Sequence, residues 1–357
     1  MEHGTIFLCR YIYLDAELND AAARLAGDGF LVRRGEHVTP GTKRSFTADE
    51  RAKLLADADV IVVNSHNLLS AEDMAAARRL RAVMTPTIGV DAVDLAAAER
   101  LGIIVGHGAT PENFLSMAEA TVMLMTVLFY DLRGTERVLR QGLPRPLTMK
   151  SRMLRGSTIG LVGFGRIARA VHQRLAGWDT QILVHDPFLP AEAIPAGLRM
   201  VDLDTLLSES DLVSLHVTLD AGTRGMIGEA QLRAMKPGSF IVNAARGGLI
   251  DEAALYRCLK DGHLAGAALD NFEPEPLSAD SPLRQLDNII LTPHMVGHTR
   301  HVMASVAPAL HENIRRVMRG ELPLYPKNPQ IAEAWRQRLA ALGSGIESDA
   351  DRRRTSG

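Results

Sequence analysis

The chain is poor in cysteine. Cys9 and Cys258 are its only two, far apart in 357 residues and in no CxxC pair. That excludes a disulfide framework and makes a reducing cytoplasm the expected compartment. Excess charge of either sign is also absent: the net charge is −2, and no long basic run precedes the last few residues. Nucleic acid and anionic membrane are therefore not expected as main partners. The N-terminal MEHGTIFLCRYIYLD has no basic segment followed by a long apolar one, so no signal peptide is expected. The longest apolar run, Ala120–Tyr130, is about half of what a bilayer crossing needs and reads as a buried helix. No repeat of solenoid length occurs. What is present is an ordinary globular composition, 46% hydrophobic and 23% charged, on a chain long enough for two cores.

Short apolar runs alternate with alanine-rich helical stretches. The runs are Ile6–Cys9, Val60–Val63, Ile103–Val105, Thr158–Val162, Ile182–Val184, Leu212–His216, Phe240–Val242 and Ile289–Leu291. This alternation predicts parallel sheets with helices on both faces. Two Gly/Pro loops, GATPENF (Gly108–Phe114) and PHMVGHT (Pro293–Thr299), each precede a long helix and read as domain crossings. The expected organisation is one domain inserted into another: 1–112 with 298–330, and 113–297 between them. From about Gln330 the chain turns polar, and 331–357 is expected to be a partly disordered tail.

In STIGLVGFGRIARAVHQRL, a strand meets a glycine turn and a helix. Gly163, Gly165 and Ala168 fit G-x-G-x-x-A, with Arg166 and Ile167 between. Gly163 permits the tight turn, Gly165 leaves room for a pyrophosphate, and Ala168 lets the helix pack closely on the strand. The helix N-terminus would receive the phosphates. Asp186, 23 residues after Gly163, ends the next strand, where an acid accepts from ribose hydroxyls and repels a 2′-phosphate. NAD is therefore the expected cofactor. The bland alternative makes Asp186 a strand-end cap and the glycine stretch a plain turn.

Three later stretches, NAARGGLIDEAAL (Asn243–Leu255), GAALDNFEPEPL (Gly266–Leu277) and TPHMVGH (Thr292–His298), follow in order. With the nucleotide motif, they resemble the D-2-hydroxyacid dehydrogenase family over about residues 5 to 328. The resemblance implies an α/β fold, with a Rossmann domain inserted into a flavodoxin-like, doubly wound substrate domain. It also implies NAD-dependent reduction of a small 2-keto acid, of the glyoxylate or hydroxypyruvate kind. The family's catalytic positions fall on Arg246, Glu275 and His294.

The residue chemistry agrees independently. Arg246 can clamp a carboxylate with two parallel hydrogen bonds and polarise a keto oxygen. His294 can give that oxygen a proton, since imidazole titrates near neutral pH. Glu275 would hold the other ring nitrogen and favour the imidazolium. Singly, each has a bland reading: a strand cap, a solvated loop carboxylate and a satisfied loop histidine.

The resemblance also implies cofactor contacts at Asp270, Thr218, Ala244 and Gly297, with Thr218 and Ala244 acting mainly through backbone. Backbone N–H groups of Ile88 and Gly89, in TPTIGVDAVDL, would hold the substrate carboxylate. Asn113 either reaches the substrate or caps its helix. VVNSHN (Val62–Asn67) places Asn64 and His66 where phosphoglycerate dehydrogenases carry phosphate-binding arginines. Poor use of phosphorylated substrates is therefore expected. Two related readings are an NADH-responsive corepressor-like scaffold and a phosphite- or formate-type dehydrogenase. The apolar Met117–Tyr130 stretch carries more Met, Leu and Val than one inner face needs, which points to a homodimer.

PHMVGHTRH holds three histidines at spacings of four and three, His294, His298 and His301. Pro293 and Gly297 make its first half a loop, and Thr299 is a plausible N-cap, so the three need not share a helix face. No metal is expected. His298 could line the site or serve only as helix-start polarity, and His301 reads as a bystander.

Overall fold

A computed structural model describes residues 4–38, 41–148 and 150–354. The chain divides into two compact units, Met1–Asn113 with Thr299–Gly357, and Phe114–His298.

The strands of the first unit are β1 (Thr5–Tyr11), β2 (Leu31–Val38), β3 (Arg44–Ser45), β4 (Val60–Val62), β5 (Asn67–Leu68), β6 (Ala82–Met84) and β7 (Ile104–Gly106). Five form a parallel sheet in the order β2-β1-β4-β6-β7, while β3 and β5 pair separately. Counted within the large sheet, the order is 2-1-3-4-5, the flavodoxin-like arrangement. Period-2 alternation splits β1 between the two faces: Ile6 and Leu8 enter one core, Phe7 and Cys9 the other. The helices are α1 (Asp15–Gly27), α2 (Ala48–Glu50), α3 (Ala71–Ala76), α4 (Leu95–Arg100), α11 (Arg300–Met318) and α12 (Ala332–Arg354). Local caps explain where they begin. Ser70 accepts from the Asp73 N–H, and Asp73 accepts from the Ser70 N–H, closing a capping box. Thr299 accepts from the Val302 N–H at 3.3 Å, so α11 begins at Arg300.

The expected C-terminal tail is corrected over its first part. Trp335, in α12, is fully buried in the core of the first unit. Its Nε1 donates to the Arg81 carbonyl at 2.8 Å, and Arg338 donates to the Leu80 carbonyl at 2.7 Å. The polar composition concealed one large apolar anchor. Residues 355–357 of that expectation lie outside the described residues.

The strands of the second unit are β8 (Thr158–Val162), β9 (Gln181–His185), β10 (Arg199–Met200), β11 (Leu212–Leu215), β12 (Ser239–Asn243), β13 (Leu264–Leu269) and β14 (Ile289–Leu291). They form one parallel sheet, β10-β9-β8-β11-β12-β13-β14. This is the Rossmann order 3-2-1-4-5-6 with a seventh strand. Its helices are α5 (Pro111–Phe129), which opens at the crossing, α6 (Leu132–Arg140), α7 (Arg166–Leu175), α8 (Leu203–Glu209), α9 (Glu229–Ala234) and α10 (Glu252–Lys260).

At 19 residues, α5 is long and apolar enough to cross a membrane by length and composition alone. It exceeds the apolar run read from the sequence because it starts at Pro111. Its Ala118, Leu124, Met125 and Phe129 are core residues, packed with Ile159, Leu161 and Val242 of the sheet. The α/β architecture, with a Rossmann unit interrupting a flavodoxin-like one, matches the sequence expectation.

Candidate active site

Parallel strands present all their carboxyl ends on one edge, and ligands of open α/β sheets bind there. In the second unit, the loops of that edge carry most of the residues singled out above.

After β8, Gly163 has φ +86°, and a Cβ on it would stand 2.9 Å from the His216 carbonyl oxygen. Gly165 is the N-cap of α7, and a Cβ there would meet no protein atom within 4 Å. That open space at a helix N-terminus suits a pyrophosphate. Arg166 and Ile167 form the first turn of α7, and Ala168 is fully buried against the sheet. After β9, Asp186 accepts from the Phe164 N–H at 2.9 Å and the Phe188 N–H at 3.1 Å. The strand-end cap is thus realised, while each carboxylate oxygen keeps a second acceptor site. Thr218 lies exposed after β11 and Ala244 half-buried after β12.

Arg246 follows β12 on a turn closed by the buried Asn243 side chain. The Asn243 amide donates to the Arg246 carbonyl at 2.7 Å and accepts from the Ala245 N–H at 3.1 Å. Arg246 itself is half-buried, and its Nη1 donates to the Ala245 carbonyl at 2.7 Å. Sequence reading missed Asn243, although an asparagine at a strand end ahead of a turn is a usable signal.

After β14, His294 and Glu275 meet: Nδ1 lies 2.9 Å from Oε1 and 3.1 Å from Oε2. His294 has φ +54°, a left-handed conformation that costs energy for a residue with a side chain. Asp270, at the end of β13 and 1% exposed, accepts from the Met295 N–H at 3.0 Å and the Val296 N–H at 3.2 Å. It therefore pins the backbone just after the strained histidine. Burial pushes the Asp270 carboxyl up, opposed by the Thr292 hydroxyl and those two amides.

Gly297 is buried, and a Cβ on it would overlap Met117. The His298 N–H donates to the Met295 carbonyl at 2.9 Å, and His301 falls in the first turn of α11. Among the described residues, no group of three or more His, Cys, Asp or Glu could hold a metal ion.

In the first unit, Ile88 and Gly89 lie half-buried in the loop after β6. Their N–H groups donate no hydrogen bond among the described residues. Asn113 is the third residue of α5, and its N–H donates to the Thr110 carbonyl at 3.1 Å and hydroxyl at 3.3 Å. Thr110, not Asn113, is therefore the cap, and Thr-Pro at a helix start was the available signal. Asn64 is buried and turned onto its own chain, accepting from the His66 N–H at 2.9 Å. The His66 ring stacks on Tyr11 at 4.4 Å.

A glycine turn feeding a helix, an acid at the next strand end and a paired imidazole and carboxylate across the same edge define a dinucleotide-binding α/β protein. The chain belongs to the D-isomer specific 2-hydroxyacid dehydrogenase family, and the family's NAD-binding domain matches residues 122–296. The (S)-sulfolactate dehydrogenase of Chromohalobacter salexigens is 40% identical over 279 residues, 76% of this chain and 89% of that protein. The D-3-phosphoglycerate dehydrogenase of Archaeoglobus fulgidus is 37% identical over 78% of this chain. The chain spans about half that protein's length, 53%. Among solved structures, a glyoxylate reductase from Paecilomyes thermophila is similar with a TM-score of 0.79 at 25% identity, over 92% of this chain and 100% of that one. NAD is the cofactor this family's domain binds, and the open, acid-flanked turn at Gly165 fits it.

Proposed function

We propose that the protein is an NAD-dependent oxidoreductase that interconverts a small 2-keto acid and its 2-hydroxy acid. The observation that carries this reading is the His294–Glu275 contact on the same sheet edge as Arg246. Gly163, Gly165, Arg166, Ile167 and Asp186 would hold the dinucleotide, with backbone contacts from Thr218 and Ala244 and with Asp270 and Gly297 beside them. Asp186 favours NAD over NADP by charge. When bound, the cofactor supplies or accepts the hydride.

Glu275 occupies Nδ1 of His294, which leaves Nε2 as the ring nitrogen for the substrate oxygen. Protonated His294 gives its Nε2 proton to the oxygen as negative charge develops there, and in oxidation neutral His294 takes the hydroxyl proton. Arg246 binds the substrate carboxylate and polarises the carbonyl. The family resemblance also supports substrate contacts for the N–H groups of Ile88 and Gly89 and for Asn113.

Glyoxylate, hydroxypyruvate and a sulfonated analogue are the candidate keto acids. Asn64 and His66 supply no fixed cation, which supports weak use of a phosphorylated substrate. We place the reaction in the cytoplasm, where the two buried thiols stay reduced. We also propose a homodimer, because Met123 on α5, Tyr130 just after it, and Leu132 and Leu139 on α6 leave large apolar side chains exposed.

The test is a panel of 2-keto acids, including 3-phosphohydroxypyruvate, each assayed with NADH and NADPH. Turnover with NADH and little with the phosphorylated acid is expected. No turnover of any keto acid would remove the reading, and efficient turnover of the phosphorylated one would remove its substrate clause.

A further inference from the structure

The proposed catalytic groups stand on separate loops, Arg246 after β12, Glu275 after β13 and His294 after β14, so their spacing needs a device that ties loop to loop. Two loops meet where Gly247 and Gly248 face Phe272 and Glu273. A Cβ on Gly247 would overlap the Phe272 carbonyl, and one on Gly248 would overlap the Glu273 carboxylate and lie 3.2 Å from Arg224 Nη1. Gly248 also has φ +74°.

Glu273 is held at both ends. Its carboxylate receives the Arg224 guanidinium, and its N–H donates to Glu252 Oε1 at 2.9 Å. Both partners are fastened to the Arg246 side. Arg224 precedes Gly225, whose N–H donates to the Gly248 carbonyl at 2.7 Å, and Glu252 opens α10 directly after the Arg246 loop. Glu275 follows Glu273 by two residues.

We propose that Arg224, Glu273 and Glu252 form a positioning clasp that sets the Arg246 loop against the loop carrying Glu275, and through it His294. The inference rests on the proposed roles of those three residues. None of the clasp residues is proposed to touch substrate. The Arg224 and Glu273 side chains are 55% and 47% exposed, so their pair adds little to global stability. Its loss should therefore move substrate handling while leaving the fold alone.

The experiment measures kcat, KM, NADH Kd and Tm for full-length variants, with the keto acid of the panel that is turned over fastest (glyoxylate, hydroxypyruvate or sulfopyruvate). Glu273→Ala, Arg224→Ala and Glu252→Ala should each raise KM about 3- to 10-fold, because a displaced clamp weakens binding of the reacting acid. Tm should stay within about 2 °C, and NADH Kd within about twofold. Glu252→Gln keeps an acceptor for the Glu273 N–H and should behave as wild type. Arg224→Ala combined with Glu273→Ala should be no worse than the worse single variant, because one interaction is lost twice.

Unchanged KM in all clasp variants overturns the clasp, as does a parallel fall of kcat and Tm or simple additivity. Arg246→Ala and His294→Ala serve as controls. If these lower turnover by about 100-fold or more while the clasp variants act as wild type, the clasp alone is wrong. If the controls keep full turnover, the site reading fails and the clasp with it.

Discussion

Gly165 and Gly247 lie on the same edge of the same sheet, each just past a strand, yet they are glycines for opposite reasons. At Gly165, a side chain would project into space that no protein atom occupies. At Gly247, it would collide with the Phe272 carbonyl. The first glycine leaves room for something other than the protein, and the second lets the protein touch itself. On the proposed reading, glycine at the turn before α7 serves binding, whereas glycine beside Arg246 is required by the packing of two loops.

That contrast can be sharpened, beginning with the strongest effect. His294→Ala, on the side of the chemistry, should lower turnover by about 10² to 10⁴ while NADH Kd barely changes. Equal turnover in the variant would take His294 out of the mechanism. Gly165→Val should weaken NADH binding by about tenfold or more, since even one lost contact of about 1.4 kcal/mol does that. Its thermal midpoint should stay near that of the wild type, and tight NADH binding by the variant would break the comparison. Gly247→Ala should do the reverse, costing about 1–3 kcal/mol of stability from overpacking. Calorimetry checks it: no fall in Tm would mean that the loop yields freely.

The smallest effect belongs to Asn271, whose side chain is buried at 3% exposure with both amide ends unpaired among the described residues. Asn271→Val should raise stability by about 1 kcal/mol, because an unsatisfied buried amide is replaced by an apolar group. A lowered Tm would show that the amide has a partner in solution.

Much of the sheet architecture was legible because parallel strands buried on both faces read as plain apolar runs, as at Thr158–Val162 and Leu212–Leu215. The edge strand β2, with its sequence LVRRGEHV, was not legible, since it is half in water and Arg33, Arg34 and Glu36 interrupt its apolar residues. In the candidate site, local motifs pointed to Gly163, Asp186, Glu275 and His294, and the structure sets them on the loops of one sheet edge. The ties between loops could not be read that way. Arg224 and Glu273 are 49 residues apart and Glu252 and Glu273 are 21 apart, and their meeting depends on strand order. Asp186 shows a subtler limit: the acid was expected to be a ribose acceptor, and what the structure shows is its hold on the amides of Phe164 and Phe188. Trp335 was hidden for a third reason, since one buried ring barely alters the average polarity of its segment.

The interrupted first unit has a consequence for biosynthesis. Residues of α11 and α12, including Leu310, Ile314 and Trp335, complete a core begun by Ile6, Leu8 and Leu25. A ribosome adding roughly 5–20 residues per second reaches Trp335 on the order of ten to forty seconds after Asn113. The whole of Phe114–His298 emerges in that interval and can close its own sheet. The nascent N-terminal strands meanwhile expose an unfinished apolar face, so chaperone demand should peak before the last two helices emerge, not after.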